Sequence, residues 1–462
     1  MSVSEVPVTV RRNAPDPLHL QIAGQLREAV RDGRLRSGHR LPSSRDLARQ
    51  LGVSRSVTQG AYDQLHAEGW IAGRVGAGTY VAELPPLARP PARRTNHRAP
   101  AGRKPLSLRP GIPYVDRRAD PGWRRIWREV GAQTPGRGYE HPDGIPDLRV
   151  ALAEHLGRVR GVACEPDQIV VTSGTTHGMR LLHSVTRRPG DRIGIEDPGY
   201  RNAVYAARDH RLDIVDCPVD ADGLRVDELP ADLAAVYVTP SHQYPLGGRL
   251  PVARRNALVG WARRTGALVL EDDYDSEFRF DVAPLPALAQ LDLDRVVHLG
   301  TMSKTLTPAL RLGWLVASEP VAEAVAAYRT TAGDWPAWPQ QAAMVAMLRD
   351  GYLDRAVKRG RRRYAERCAL VCDRLAPYGR IAGRDAGLHV TLQLPDGVDD
   401  ETVAERARDA GVDVVTLSSF RRSTPGPDGL VIGYGAPTDD ELIAALDLLI
   451  SILQDTAGTM NA

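Results

Sequence analysis

The sequence predicts an α/β body, with a mostly parallel sheet covered by helices on both faces, preceded by a small helical module that ends in a hairpin. Three observations predict it. From about Leu106 onward, β-branched apolar runs alternate with amphipathic stretches: QIVVTSG (168–174), DRIGIED (191–197), LAAVYVTP (233–240), ALVLEDDY (267–274) and RVVHLGT (295–301). Strands separated by helices imply a parallel sheet with both faces covered. Residues 17–82 instead carry three short helical patterns and a glycine-punctuated hairpin. Between these regions, ELPPLARPPARRTNHRAPAGRKP (83–105) is rich in Pro and Arg and poor in large apolar residues, so it builds no core and reads as an exposed, semi-rigid linker. The expected division is therefore 1–82, 83–105 and 106–462.

Composition narrows the function. No window approaches the roughly 18 apolar residues of a membrane span, and the start, MSVSEVPVTVRR, lacks a signal-peptide core, so no membrane partner is expected. Cys164, Cys217, Cys368 and Cys372 form no CxxC pair and have no matched histidines. That pattern fits reduced thiols in a cytoplasmic protein, with neither disulfides nor a metal site. The net charge of +3 is unevenly spread: residues 1–105 hold 17 Lys/Arg against 8 Asp/Glu, leaving the remainder acidic. A basic module on an acidic body suggests a polyanion partner at one end.

The first helix of the small module covers about 18–32, with Leu18, Ile22, Leu26 and Val30 on one face. SRDLARQLGVSRSVTQGAYDQLHAEGW (44–70) then reads as a second helix, a turn at Gly52-Val53 and a third helix with Ser54 as N-cap. Val57, Ala61 and Leu65 are expected inside, with Arg55, Ser56, Thr58, Gln59 and Tyr62 outside. Two helices around a tight turn, the second with a polar face, make the helix-turn-helix layout that enters a major groove. The hairpin WIAGRVGAGTYV (70–81), with Arg74 beside its tip, would be the wing. PLHLQIAGQLREAVRDGRLRSGHRLPSSRDLARQLGVSR and the closing GAGTYV resemble the winged-helix domain of the GntR family. The resemblance implies a double-stranded DNA operator touched by Arg45, Ser54, Arg55, Ser56 and Gln59, with Arg74, Gly76 and Gly78 at the wing. Arg55 and Gln59 suit base edges; Arg45 and the serines suit phosphates.

In the large region one residue stands out. Only three lysines occur, against 57 arginines, and one of them, Lys304, lies in GTMSKTLTPALRLGW (300–314). A primary amine can condense with an aldehyde and a guanidinium cannot. Thr301, Ser303 and Arg311 beside it are donors that suit a phosphate monoester, so the aldehyde indicated is pyridoxal 5′-phosphate (PLP). Three upstream motifs agree. TSGTTHGM (172–179) joins a strand to a helix and offers the backbone amides of Gly174, Thr175 and Thr176 to a phosphate. EDPGY (196–200) ends a strand and can lay Tyr200 against a ring. LVLEDDYDSEF (268–278) brings carboxylates to the C-terminal end of another strand, where one can pair with a pyridinium nitrogen.

From LSLRPGIP (106–113) to the C-terminus the chain resembles fold-type I PLP enzymes, the aspartate aminotransferase fold, through GYEHPDGIPDLRVALAEHLGRVRGVACEPDQIVVTSG (138–174) and DAGLHVTLQLP (385–395). By that resemblance Lys304 links to PLP, Asp272 pairs with the ring nitrogen, Tyr274 bonds the ring hydroxyl and Tyr200 stacks. Gly174, Thr175, Thr176, Thr301, Ser303 and Arg311 hold the phosphate, which Tyr139 reaches from a partner subunit. A GntR-type module joined to such a body, with TPSHQYPLGGRLPVARR (239–255) and EDDYDSEF, is similar to the MocR/GabR subfamily of bacterial regulators. That similarity implies a head-to-tail homodimer in which PLP links DNA binding to a small-molecule effector, either an amine or amino compound or PLP itself.

Two departures bear on activity. Tyr244 stands where the enzymes carry an Asn, and Val431 in LVIGYG (430–435) where they carry the substrate-carboxylate arginine. Asn202 replaces an arginine of GABA-responsive members, which speaks against GABA as the effector. A regulator without efficient turnover is the expectation; a functional aminotransferase with an appended DNA-binding domain is the alternative.

Overall fold

The computed structural model describes residues 6, 8–74, 78–83, 105–115, 120–423 and 425–460, so most of the 83–105 segment lies outside the described residues. The chain divides into two units, Met1–Ala101 and Gly102–Ala462.

In the first unit, α1 (Leu18–Arg31), α2 (Ser44–Leu51) and α3 (Arg55–Ala67) precede a hairpin of β1 (Ile71–Arg74) and β2 (Gly78–Val81). Ile22, Leu26 and Ala29 of α1, Leu47 of α2 and Ala61 and Leu65 of α3 bury together with Ile71 and Val81 of the hairpin. These positions follow helical and alternating spacing, so one small core serves all five elements. Gly52 closes α2 in the left-handed region (φ 62°), which supplies the tight turn before α3.

The second unit is built on eight strands: β3 (Ile169–Thr172), β4 (Arg192–Asp197), β5 (Asp213–Asp220), β6 (Gly223–Leu224), β7 (Ala235–Val238), β8 (Leu268–Asp273), β9 (Val296–Thr301) and β10 (Gly313–Val316). Their order is β3-β10-β9-β8-β7-β4-β5-β6. The run from β9 to β5 is parallel, as expected, while β10 lies antiparallel between β9 and β3 and β6 closes the other edge antiparallel to β5. Sequence reasoning missed β10, because the chain returns from the lysine turn straight into the sheet without a crossover helix. Alternate strand residues feed two cores. Ile169, Val171, Val236, Val238, Val269 and Val296 pack on one face, and Val170, Ile195, Ala235, Leu270, Val297 and Leu299 on the other. Both faces are thus covered, and the C-terminal ends of β4, β7, β8 and β9 converge where α/β sheets bind ligands.

A smaller antiparallel sheet follows, in the order Arg380–Ala382, His389–Gln393, Gly429–Gly433, Val415–Thr416. The helices Tyr352–Leu375, Asp400–Asp409 and Asp439–Met460 pack with it. Among the described residues no helix is long and apolar enough to cross a membrane.

Candidate functional site

Arg45 is exposed on the first turn of α2, and Ser54, Arg55, Ser56 and Gln59 are exposed at the α2–α3 turn and along α3. Ser54 occupies the N-cap position, but its hydroxyl bonds Ser56 Oγ at 2.8 Å and makes no capping bond. Gln59 donates to Asp63 at 2.9 Å. Two expectations need correction. Thr58 and Tyr62, read as outward, are buried: Thr58 Oγ1 donates to Ser44 O at 2.7 Å, and Tyr62 OH to Pro42 O at 2.8 Å. Positions 58, 61, 62 and 65 form the i, i+3, i+4, i+7 stripe of α3, and each polar residue in it has a backbone carbonyl to satisfy it. These two bonds fasten α3 to α2 and its approach, leaving Arg55, Ser56 and Gln59 as the outward face. At the hairpin, Gly78 has φ 106° and lies against the Arg40 guanidinium, where a Cβ would sit 3.2 Å from Nε. Arg74 is in β1, opposite Gly78. Gly76 lies outside the described residues.

In the second unit a cavity of about 620 Å3 opens at the C-terminal ends of the central strands, within the size range of small-molecule sites. It gathers Gly174, Thr175, Thr176, Tyr200, Asp272, Tyr274, Thr301, Ser303, Lys304 and Arg311, which were separate motifs in the sequence. Tyr139 is not among them. It is 82% exposed and stacks on Trp335, ring centroids 4.3 Å apart.

At one end the donors suit a phosphate. Gly174 caps the helix Thr175–Thr186 with φ 117°, a conformation that favours glycine. A Cβ there would lie 3.7 Å from Thr301 Oγ1 and 3.9 Å from Arg311 Nη1, so helix terminus, hydroxyl and guanidinium converge. Thr301 Oγ1 also meets Ser303 Oγ at 3.0 Å. Arg311, itself at φ 50°, is turned into the cavity by a left-handed residue after a short helical turn.

The middle holds an amine and a carboxylate. Lys304 Nζ donates to Gly111 O at 2.5 Å, and burial lowers its affinity for a proton, opposed by Asp272 and Asp275. Asp272 Oδ2 accepts from Tyr237 OH at 2.7 Å, while its buried Oδ1 has no partner. Burial pushes this carboxyl up to about 7. Strand alternation separates Asp272 from its neighbours. On the opposite face Glu271 accepts from the amides of Leu288 and Ala289, and Asp273 from Arg160. An unpaired carboxylate oxygen facing an aromatic-lined cavity fits a protonated ring nitrogen.

The remaining wall is aromatic. Tyr200 lies 6.4 Å from Tyr237, nearly parallel, and its hydroxyl accepts from Asn202 at 2.8 Å. Tyr274 OH donates to His242 O at 2.9 Å and lies 3.1 Å from His242 Nδ1, which in turn meets Asp275 at 2.9 Å. His242, Asp275 and His389 form a buried group of possible ligand atoms. It is held together by that hydrogen bond and by His389 Nε2 against Pro245 O at 3.2 Å. Tyr244 stands edge-on to Tyr200, Tyr274 and Phe420. Val431 is fully buried with Leu417 and Phe420 and offers the cavity no charge. Sequence reasoning missed Tyr237 and Gly111, and took Asn202 only as the replacement of an arginine, not as the donor to Tyr200. Tyr237 had a usable signal: in the parallel register it pairs with Leu270, on the face of β8 that Asp272 shares.

Comparison with known proteins agrees with this geometry. Residues 112–446 match the family described as aminotransferase class I and II, and residues 18–81 match bacterial regulatory proteins of the gntR family. The chain is 38% identical over 445 residues to the HTH-type pyridoxine biosynthesis transcriptional regulator PdxR of Corynebacterium glutamicum, covering 95% of this chain and 97% of that one. It is 34% identical to the probable rhizopine catabolism regulatory protein MocR of Rhizobium meliloti, covering 92% and 91%. The second unit resembles the crystal structure of an archaeal alanine:glyoxylate aminotransferase, with a TM-score of 0.72 and 27% identity over 77% of this chain and 92% of that one. The molecule is thus a DNA-binding transcriptional regulator with an aminotransferase-like body. It belongs to the MocR/PdxR type of the GntR family.

Proposed function

We propose that the regulator holds PLP in the cavity of its second unit and uses it as a sensor, without efficient turnover. The convergence of Gly174, Thr301 and Arg311 at one end, with Lys304 and the unpaired Asp272 oxygen beyond them, carries this reading. Bound PLP supplies an aldehyde for an amine and a ring that withdraws electrons. The chain's own residues would do the rest. Gly174, Thr175, Thr176, Thr301, Ser303 and Arg311 hold the phosphate, Asp272 holds the proton on the ring nitrogen, and Tyr237 orients Asp272. Tyr200 covers the ring, Tyr274 faces its hydroxyl, and Lys304 provides the covalent anchor. Tyr139, exposed beside Trp335, would reach a partner's phosphate in a head-to-tail homodimer. Residues 83–105 would tether the modules, and Arg45, Ser54, Arg55, Ser56, Gln59 and the wing residues Arg74, Gly76 and Gly78 would meet the operator.

The effector follows from what the cavity lacks. Transamination requires the α-carboxylate to be clamped so that the Cα–H bond stands across the cofactor plane, and a bidentate arginine serves this best. Val431 lies in an apolar cluster instead. PLP itself as the signal, and pyridoxine-biosynthesis genes as the target, agree with that and with the name of the relative from C. glutamicum. Two measurements test the proposal. The purified protein should show the visible absorbance of a lysine-bound cofactor, and PLP should change its affinity for operator DNA. Incubation with alanine, glutamate, aspartate and GABA should leave the cofactor essentially unconverted. Repeated turnover with any of them would establish the enzyme reading in its place.

A further inference from the structure

Three motifs meet behind Tyr274 at residues with no part in the cofactor set: His242 of TPSHQYPLGG (239–248), Asp275 of EDDYDSEF (271–278) and Gly387 of DAGLHV (385–390). The His242 and Asp275 side chains are each 2% exposed, and Nδ1 stands 2.9 Å from Oδ2. Gly387 closes over the pair. Its φ is 83°, and a Cβ there would lie 2.4 Å from His242 Cε1 and 2.6 Å from Asp275 Oδ2, so the close approach requires glycine. Gly387 is itself fixed, its N–H donating to Phe278 O at 2.8 Å and its carbonyl accepting from Tyr434 OH at 3.0 Å.

The partners assign the His242 proton. An ionised carboxylate only accepts, so Asp275 holds the proton on Nδ1. Nε2 is buried with no partner, where a bare lone pair costs less than an unpaired N–H. Burial pushes the neighbouring His389 down to about 3, so that ring stays neutral and does not compete for Asp275. Tyr274 OH, 3.1 Å from His242 Nδ1, therefore faces an N–H and not a bare nitrogen. Burial and then Asp275 raise the Tyr274 pKa, so the phenol keeps its own hydrogen, which lies on His242 O at 2.9 Å. A hydroxyl can turn that hydrogen toward the cavity that Tyr274 lines.

We infer that His242 is a positioning residue, its tautomer set by Asp275 and its place by Gly387: it denies Tyr274 a nitrogen acceptor and so leaves the phenol hydrogen for a ring oxygen of the ligand in the cavity. With the proton on Nε2 instead, Nδ1 would draw the phenol hydrogen away from the cavity, and the site would grip the same ligand less tightly. The inference rests on the PLP reading above, in which the ring hydroxyl supplies that oxygen.

The test titrates the full-length, cofactor-free protein with PLP and with 3-deoxypyridoxal 5′-phosphate, which lacks only the ring hydroxyl. Any intrinsic difference between the two aldehydes cancels when each variant is compared with the native protein. His242→Gln should weaken PLP about three- to tenfold, the range of one hydrogen bond, and the deoxy analogue less than twofold. His242→Asn, whose amide N–H can stand where Nδ1–H stood, should stay near the native affinity for both. Denaturant unfolding checks each variant, and if His242→Gln does not fold, Asp275→Asn takes its place in the same comparison. A merely structural role would lower both affinities by the same factor. That result, no loss for either aldehyde, or equal losses in the Gln and Asn variants overturns the inference and leaves the PLP reading standing. Native protein that binds neither aldehyde overturns the PLP reading and this inference with it.

Discussion

The residues of the first unit proposed to meet DNA and the cavity residues of the second are polar in opposite ways. Arg45, Ser54, Arg55, Ser56 and Gln59 stand in solvent, and their side-chain contacts are short-range, such as Gln59 to Asp63. Asp272 and Glu196 are buried, and burial pushes both carboxyls up to about 7. Polar groups in water add little to folding, whereas a buried group short of partners subtracts from it. The first surface should therefore be removable without harm to the fold. The second region is kept at a cost in stability, greatest at Asp272, that a ligand pairing its free Oδ1 would relieve.

The largest effect that would break this contrast is at Lys304. Lys304→Ala should abolish any borohydride-fixable cofactor adduct, because among the described residues no other lysine lines the cavity. Lys358 is exposed on the helix Tyr352–Leu375, and Lys104 lies outside the described residues. Retention of such an adduct, measured by mass spectrometry after reduction, would remove Lys304 as the anchor. Next in size is Asp272. Its folded-state pKa is raised, so its contribution to stability is present below the ordinary carboxylate range and lost as pH rises through about 7. In cofactor-free protein, Asp272→Asn should remove that part of the decline, so the variant gains on the native protein between pH 5 and pH 8 by on the order of 2–4 kcal/mol. Denaturant unfolding at both values checks this. Glu277, also pushed up to about 7, contributes equally to both proteins and cancels, whereas Glu196 owes part of its rise to Asp272, so its own decline is smaller in the variant and adds to the gain in the same direction. Added PLP should shrink the gain, since a protonated ring nitrogen supplies the missing partner.

How much of this was legible depended on whether the signal was local. Lys304 was found because lysine is rare in this chain. The turn at Gly174 was found because a glycine between a β-branched strand and a helix marks a backbone conformation that other residues adopt only under strain. The parallel strands were readable from their apolar runs. What failed depends on contacts between distant segments. Tyr237 reads as one more apolar strand residue until register sets it beside Asp272. Thr58 and Tyr62 look like surface polars until Ser44 O and Pro42 O are found to accept from them. Strand β10 was hidden because an antiparallel return needs no helix. Within EDD only the resemblance pointed to Asp272, and the alternation of side chains and their partners supplies the physical distinction from Glu271 and Asp273.

On the exposed side of the comparison the expected effects are smaller and purely functional. Arg55→Ala should leave the unfolding transition unchanged and weaken operator binding by about 1–3 kcal/mol, with far less loss on random DNA, if its guanidinium reads a base edge. Fluorescence anisotropy with both DNAs decides it. Equal loss on the two would move Arg55 to a phosphate role.

Arg45 should show the smallest and most diagnostic change. It is exposed on the first turn of α2, next to Ser44, whose carbonyl takes the Thr58 bond that ties the two helices together. From there its side chain suits a phosphate, which carries no sequence information. Each phosphate neutralised on duplex DNA releases condensed counterion, so removing one contact flattens the plot of log affinity against log salt by about one unit. Arg45→Ala should therefore weaken operator and random DNA alike at low salt, with the difference from the native protein shrinking as salt rises. Cofactor loading, read by absorbance in the same preparations, should not change. A salt slope identical to that of the native protein, with specific binding alone impaired, would mean that Arg45 reads sequence and that the recognition face extends from α3 onto α2.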